Sequence, residues 1–317
     1  MSVTDCLWRP VDTIGCHLVG QSFVGGRSIE EVLTTGVEFK KRGYKVTYNL
    51  LGEHVLDQGR VNLAVATTLE LIGAMDDTNR GNVSIKPTLY GLEISPQLFY
   101  EHAGEIIECG KKAGIETEFD AEHYRFIPIT FAVFHAFASQ FHYKGFVRQA
   151  VQAHLSLKRM SRLMDRYELW NKNLRIVQGS GVYPESPNVV VKNGGEILSQ
   201  FYAIARRNHQ EGQVPFIATM RNRRLVGDIK KFLPSPHMFE FQMLYGPLGR
   251  ILGDELLKSG SQVRMYIPFV VPWCKDEWKS YGMRRAATVR RLFFEDKEVR
   301  WAILREIKER LFSVAKK

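Results

Sequence analysis

The sequence is poor in cysteine and lacks metal-binding spacings. Only four of its 317 residues are cysteine (Cys6, Cys16, Cys109 and Cys274), and none of them forms a CxxC pair. Scattered thiols in a chain of this length are typical of free cysteines rather than of a disulfide framework. The nine histidines show no HxxxH or HxH spacing, so the sequence predicts no metal site.

Long apolar runs are also missing. No run reaches the roughly 18 residues that a transmembrane helix needs. The amino terminus, Met1 to Pro10, carries Asp5 and has neither the apolar region of a secretory signal nor the arginine-rich composition of a mitochondrial leader. We therefore expect a soluble, cytoplasmic protein, with peripheral contact to the inner membrane as an open alternative.

The formal net charge of +10 is substantial. It is compatible with nucleic acid, an anionic membrane surface, or an anionic cofactor and substrate. The basic residues are spread along the chain and accumulate towards its carboxyl end, without a nucleic-acid-binding motif. We expect a small anionic ligand and no nucleic acid.

From residue 45 onward, short β-like runs alternate with segments of helical periodicity. The β-like runs are Lys45–Leu51, Val83–Thr88, Ile115–Asp120, Phe146–Ala153, Leu174–Gly179, Pro215–Met220, Met238–Leu244 and Gln262–Pro268. Eight such runs predict a closed α/β fold, a (β/α)8 TIM-like barrel. A doubly wound open sheet would normally carry a glycine-rich phosphate turn after its first strand, and Asn49 to Glu53 is not such a turn.

The barrel is flanked by two predicted helical segments. Residues 28–31 read as a capping box, which predicts a helix to about Arg42 that closes at Gly43. We expect an N-terminal helical extension over residues 1–44, the barrel over 45–295, and a C-terminal amphipathic helix over 296–317. The apolar stripe of that last helix comprises Val299, Ile303, Ile307, Leu311 and Val314. Packing against the barrel or contact with a membrane surface would each explain this stripe.

Polar side chains stand at the predicted carboxyl end of every strand, where the active sites of such barrels lie. In chain order they are Asn49, Lys86, Asp120, Gln152 with His154, Gln178, Thr219, Gln242 with Tyr245, and Tyr266. Each of these side chains alone could be explained by a hydrogen bond to a loop. Their presence at the end of every predicted strand, however, indicates a ligand site.

A second polar cluster follows the eighth strand. Asp276 offers a helix cap, and in the helix that follows Tyr281 lies three and four residues before Arg284 and Arg285. Two guanidinium groups beside a phenol form a site for a carboxylate, because arginine presents paired donors. A solvated basic face is the alternative explanation.

Over roughly residues 20 to 295 the chain resembles the proline dehydrogenases, including the catalytic domain of the bifunctional bacterial enzymes. The matching segments are residues 46–53, 83–88, 119–122, 152–155, 175–177, 239–246, 266–268 and 278–285. Each motif is weak alone. Their order and their placement on successive strands make the resemblance specific.

The resemblance implies noncovalent FAD across the strand ends, with the substrate stacked on the flavin. By position, Arg284 and Arg285 would bind a substrate carboxylate, with Lys86 as a third cation. Tyr266 and Tyr281 would shape the pocket, and Asp120 would lie near the amine. The cofactor would be held by Gln152, Arg175, Gln178, Thr219 and Gln242.

The chain departs from the family pattern at several of these positions. The family usually has Asp at Asn49, Lys at Gln178, Tyr at Gly181 and His at Met220. The carboxylate-binding pair is retained while pocket shape and charge change, which leaves open whether the substrate is proline or an analogue.

The sequence therefore predicts FAD-dependent oxidation of proline or a proline-like amino acid at a C–N bond, with hydride transfer to flavin N5. The electron acceptor would be a quinone or oxygen. A diverged biosynthetic flavoenzyme acting on another amine or a hydrazine is an alternative. Two alternatives of another class are a flavin-free lyase with Lys86 as Schiff-base amine and a non-catalytic amino-acid-binding relative.

Overall fold

The computed structural model describes residues 20–179, 183–219, 222–282, 284–285, 297–301 and 303–305. The strands are β1 Lys45–Leu50, β2 Asn82–Ile85, β3 Thr117–Phe119, β4 Val147–Gln152, β5 Leu174–Val177, β6 Phe216–Thr219, β7 Glu240–Leu244 and β8 Val263–Phe269. The helices are α1 Ile29–Lys41, α2 Gln58–Gly73, α3 Pro96–Lys112, α4 Ile127–Ala138, α5 Leu157–Arg166, α6 Gly194–Gln210, α7 Arg223–Phe232 and α8 Pro247–Lys258. Helix α1 precedes the first strand, and helices α2 to α8 follow strands β1 to β7.

The eight strands close into a parallel barrel in chain order. Strand β1 closes it because it pairs with β2 on one side and with β8 on the other, so that Tyr48 lies opposite both Val83 and Ile267. The predicted (β/α)8 architecture is therefore confirmed. Strand β2 ends at Ile85, before the predicted end at Thr88, because Pro87 lacks the amide that a ladder requires.

Short polar side chains set where the helices begin. Asp57, Ser95, Asn193 and Asn222 each accept a hydrogen bond from a backbone amide in the first turn of α2, α3, α6 and α7, respectively. These bonds satisfy donors that the helix itself leaves open.

The predicted capping box before α1 is half correct. The Ser28 hydroxyl accepts from the Glu31 amide at 3.1 Å, as predicted. The Glu31 carboxylate, however, accepts from the amide of Arg27 at 2.8 Å rather than from that of Ser28. The carboxylate reaches one residue further, to another donor outside the helix. The helix ends at Lys41, and Gly43 takes a φ of +91° that favours glycine.

The apolar core fills the layer between the strands and their surrounding helices. Strand residues are buried on both faces of the sheet, as expected for parallel strands covered by helices. The largest fully buried side chains include Tyr48, Phe99, Phe119, Phe201 and Phe241. No helix among the described residues is long and apolar enough to cross a membrane.

The carboxyl-terminal segment is helical at residues 297–301 and 303–305. Val299 and Ile303 of the predicted stripe are buried, whereas Trp301 is exposed. The stripe thus packs against the protein at these two positions. Ile307, Leu311 and Val314 lie outside the described residues, as do Gly181, Met220 and the segment Met1 to Pro10.

Candidate functional site

The carboxyl ends of the strands gather buried polar side chains at one end of the barrel. Asn49, Lys86, Gln152, Arg175 and Gln242 are each at most 7% exposed. Polar groups are seldom buried to this degree unless they are paired or serve a ligand. The strands place them together because all eight run in the same direction.

A buried cluster of charges lies at the centre of this end. The Arg175 guanidinium is 2.8 Å from a carboxylate oxygen of Glu118 and forms a second ion pair with Asp120. Gln242 joins the cluster by donating to Glu118 at 3.3 Å and accepting from Arg175 at 3.3 Å. Three strands and the residue after β3 are therefore connected through one guanidinium.

The two carboxyl groups that pair with Arg175 have pKa values shifted in opposite directions. Burial raises the pKa of Glu118 above its usual value, because it outweighs the attraction of Arg175. Burial would also raise the pKa of Asp120, but Arg175 and Lys86 together outweigh it and hold that pKa below its usual range. Asp120 is thus the member of the pair that carries a stable negative charge.

Tyr266 lies beside this cluster. Its hydroxyl is 3.1 Å from both the Ser84 hydroxyl and the Asp120 carboxylate. The Arg175 guanidinium lies 4.9 Å from the centre of its ring. Burial, followed by the charge of Asp120, raises the pKa of Tyr266 well above its usual value. Tyr266 is therefore a neutral hydrogen-bonding group.

Lys86 follows β2 and is almost fully buried. Its ammonium is 3.4 Å from the amide oxygen of Asn49. Burial lowers the pKa of Lys86, although the charges of Asp120 and Glu53 counteract this in part. A buried amine with so little compensation is typical of a functional site.

The helix after β8, at residues 278–282 and 284–285, supplies the predicted arginine pair. Arg284 donates to the Glu53 carboxylate at 2.7 Å. The Arg285 guanidinium lies 5.2 Å from the centre of the Tyr281 ring. Its Nε is buried without a hydrogen-bond partner among the described residues. The helical spacing brings the three side chains to one region, as the sequence predicted.

Arg284, Tyr281, Glu53 and Lys86 line a common pocket that holds about 10 Å³. That volume is roughly the space for one water molecule. Ser280 completes the same wall. Of the residues predicted to bind a carboxylate, Arg284 and Lys86 therefore lie together in this pocket, whereas Arg285 is not among its lining residues.

The five residues predicted to hold a cofactor have different surroundings. Arg175 and Gln242 bond within the charge cluster, and the Thr219 hydroxyl accepts from the Asn222 amide at 3.1 Å. Gln178 is half-buried. The amide oxygen of Gln152 and the Nε of Arg175 are buried and have no hydrogen-bond partner in the part of the chain that the structure describes. The last two atoms are therefore available to a polar ligand.

Sequence reasoning missed Glu122. Its carboxylate accepts from the amide and the hydroxyl of Thr88 at 2.8 and 2.6 Å. Burial raises the pKa of Glu122 to about 7. Thr88 follows β2 and Glu122 follows β3, so this pair joins the loops after the two strands. The segment 119–122 was recognised, but nothing in the sequence indicated which residue Glu122 contacts.

Tyr183 was also missed. The charges of Glu122, Glu53 and Asp120 raise the pKa of its hydroxyl and that of Arg284 lowers it, so the phenol lies within electrostatic range of the site residues. Burial, the largest influence, raises its pKa. The signal was present in the sequence, because Tyr183 lies two residues after Gly181, where the resemblance predicts an aromatic ring.

The loop carrying Tyr183 is fastened to the segment after β3. The Glu185 carboxylate accepts from the Tyr124 amide at 2.6 Å and lies 3.4 Å from the His123 ring. The rings of His123 and Tyr183 contact each other edge to face. Among the described residues, no group of three side chains could hold a metal ion.

Comparison with known proteins gives one consistent family. The family model described as proline dehydrogenase matches residues 32–179. Proline dehydrogenase 2 of Bacillus subtilis (strain 168) is 27% identical over 279 residues, which cover 86% of this chain and 87% of that protein. Proline dehydrogenase 1 of Bacillus subtilis subsp. natto is 29% identical over 298 residues, which cover 90% and 92% of the two chains.

A solved structure shares the fold. Proline utilization A from Bdellovibrio bacteriovorus, inactivated by N-propargylglycine, superimposes with a TM-score of 0.73 at 20% identity. The match covers 90% of this chain and 35% of that chain. The chain thus spans about a third of that larger protein.

Proposed function

We propose that this chain, which is similar to proline dehydrogenases over most of its length, oxidises proline or a proline-like amino acid at a C–N bond with bound FAD. The observation that carries the proposal is that Arg284, Tyr281 and Lys86 line one pocket, with the Arg285 guanidinium 5.2 Å from the centre of the Tyr281 ring. The similarity to proline dehydrogenases over most of the chain favours an oxidoreductase over a flavin-free lyase.

The arginine pair would bind and orient the substrate carboxylate. Arg284 lines the pocket and donates to Glu53. The buried Nε of Arg285 has no hydrogen-bond partner among the described residues. Guanidinium groups bind carboxylates through paired hydrogen bonds, which fix direction as well as position. Lys86 would add a third cation. Holding the amino acid at two points is what aims its reacting carbon.

The strand-end residues fit a flavin because they leave polar atoms open. The described residues offer no hydrogen-bond partner to the buried Gln152 amide oxygen or to the buried Arg175 Nε. Such atoms are costly unless a ligand satisfies them. Gln178, Thr219 and Gln242 would complete the cofactor-binding side of the site. When bound, FAD would accept the hydride at its N5.

The remaining site residues would control charge and exclude water. Asp120, held ionised by Arg175 and Lys86, would lie beside the substrate nitrogen. Tyr266 and Tyr281 would enclose the substrate ring. Tyr183 would add an aromatic surface within electrostatic range of Asp120. A quinone or oxygen would reoxidise the flavin. If the acceptor is a membrane quinone, the protein would also contact the membrane surface peripherally.

The direct test is anaerobic bleaching of the flavin. The purified protein, refilled with FAD, is expected to show a flavin absorption that disappears on adding proline or one of its analogues. Hydroxyproline, N-methylproline and hydrazino analogues would be compared under the same conditions. Protein that takes up no FAD, or holds FAD that none of these compounds reduces, would refute the proposal. Borohydride trapping of a carbonyl compound on Lys86 would favour the lyase instead.

We predict that Glu53→Gln lowers KM roughly fivefold. Glu53 occupies Arg284 in the absence of substrate, so the substrate carboxylate must compete with it. Glutamine keeps the shape of Glu53 but removes its charge. The free energy of substrate binding should therefore become more favourable by about 1 kcal/mol, as expected for a partly exposed ion pair. Steady-state kinetics with the preferred substrate provide the measurement.

Glu277→Gln is the matched control, because Glu277 lines the same pocket but pairs with Arg60 at 2.7 Å. Its KM is expected to stay unchanged. A higher KM in Glu53→Gln would instead mean that Glu53 holds Arg284 in its binding position.

A further inference from the structure

His154 is a buried histidine whose ring is poorly satisfied. It follows β4 and is 3% exposed. The Gln178 backbone attracts the ring proton, but neither Nδ1 nor Nε2 makes a well-aligned hydrogen bond to the described residues. Leaving a buried polar atom unsatisfied costs free energy that a stable fold normally avoids. The ring lies at the end of the barrel where the site residues gather, two positions after Gln152, and its open nitrogen therefore points to a ligand at that site.

The backbone holds this histidine firmly. Its amide donates to the Gln178 carbonyl at 3.0 Å, and its carbonyl accepts from the Val191 amide at 2.7 Å. Its ring packs against Gly179, where φ is +78° and a Cβ would lie 2.3 Å from Nδ1. Only glycine leaves room there for the imidazole. The ring position is thus built into β4, the end of β5 and the loop before α6.

The chemistry of the open atoms limits the ligand. Burial lowers the pKa of His154 and outweighs the Gln178 backbone, which raises it, so the imidazole is neutral, with its donor towards Gln178 and its acceptor open. Gln152, at the end of β4 two residues earlier, also leaves only an acceptor open among the described residues, its amide oxygen. The ligand must therefore donate. A diphosphate only accepts, whereas the ring N–H and ribityl hydroxyls of a flavin can donate.

We propose that His154 binds the ring-and-ribityl half of the flavin directly, acting with the amide oxygen of Gln152. This inference rests on the proposed function, since it assigns a contact to the same cofactor. It adds a cofactor-binding residue on β4 that the family resemblance did not assign.

The test is His154→Leu, with FAD and FMN as probes. The apo protein would be prepared by stripping the flavin with bromide. Its melting temperature is expected to be unchanged or higher, because an unsatisfied polar group is replaced by an apolar one. The Kd for FAD is expected to rise about tenfold, and the rise in melting temperature on adding FAD should shrink. The Kd for FMN should rise by a similar factor, because FMN has the same ring and ribityl chain.

Gln200→Leu is the matched control, because Gln200 is a buried side chain without hydrogen-bond partners among the described residues, located on helix α6. It should not change either Kd. If the leucine variant at 154 fails to fold, His154→Gln keeps a donor and an acceptor and should bind FAD within about threefold of the wild type.

An unchanged FAD affinity in His154→Leu, or a loss confined to FAD, would overturn the inference, as would a tenfold loss in His154→Gln. These results are distinct from failure of the proposed function, in which the wild-type protein itself would bind no flavin or would not be reduced.

Discussion

Replacing Arg284 or Arg285 with methionine is expected to raise KM about 100-fold while the flavin stays bound. Each change removes a guanidinium that the proposal assigns to the substrate carboxylate. Losing one partner of such a buried charge pair costs on the order of 3 kcal/mol, which corresponds to roughly two powers of ten in affinity. Flavin content would be read from the absorption spectrum, and KM from steady-state kinetics.

Lys279→Met is the matched control for both arginine variants. Lys279 lies on the same helix but is 60% exposed and pairs with Asp276 at 2.8 Å. It should leave KM unchanged, since a surface pair contributes little. An arginine variant that loses its flavin but keeps its KM would show that the pair serves the cofactor instead.

Arg175→Met is expected to lower the free energy of unfolding by about 3–5 kcal/mol. The guanidinium is 5% exposed and lies against the carboxylates of both Glu118 and Asp120. Its removal takes the paired guanidinium from the buried Glu118 and leaves the charge of Asp120 with Lys86 alone, and breaking such a pair is costly. The melting temperature should fall by roughly 5–8 °C, measured by circular dichroism on the flavin-free protein.

Arg223→Met provides the comparison, because Arg223 also pairs with a carboxylate, that of Glu255, but is 49% exposed. The Arg223→Met variant should lose less than about 1 kcal/mol of unfolding free energy. Adding Glu118→Gln to Arg175→Met should recover part of the loss, since the two residues are in contact. An Arg175 variant as stable as the Arg223 variant would mean that the carboxylates take up protons or water without penalty.

The barrel could be predicted from the sequence because its signals are local. Each strand is a short apolar run and each helix has its own periodicity, so counting them was sufficient. The ends of the strands were predicted less accurately, because tertiary contacts decide how many residues join the ladder. Strand β3 has only Thr117–Phe119 in the ladder, although the apolar pattern suggested a run from Ile115 to Asp120.

The site could be predicted only in part. Arg284, Arg285 and Tyr281 share a helix, so their proximity follows from spacing. The contact of Arg175 with Glu118 joins β5 to β3, and no local pattern encodes it. Glu118 lies within a strand rather than at its end, and therefore did not attract attention. The poorly satisfied ring of His154 is a property of its three-dimensional surroundings alone.

The closure of the ring has a consequence for biosynthesis. Strand β1 is made first, yet one of its two neighbours, β8, is made last, and the register of β1 with β8 extends over six residue pairs from Lys45 to Leu50. Until Val263–Phe269 leaves the ribosome, a nascent chain holds two open strand edges that can associate with other chains. Premature termination before β8 would thus yield an aggregation-prone fragment rather than a smaller working enzyme.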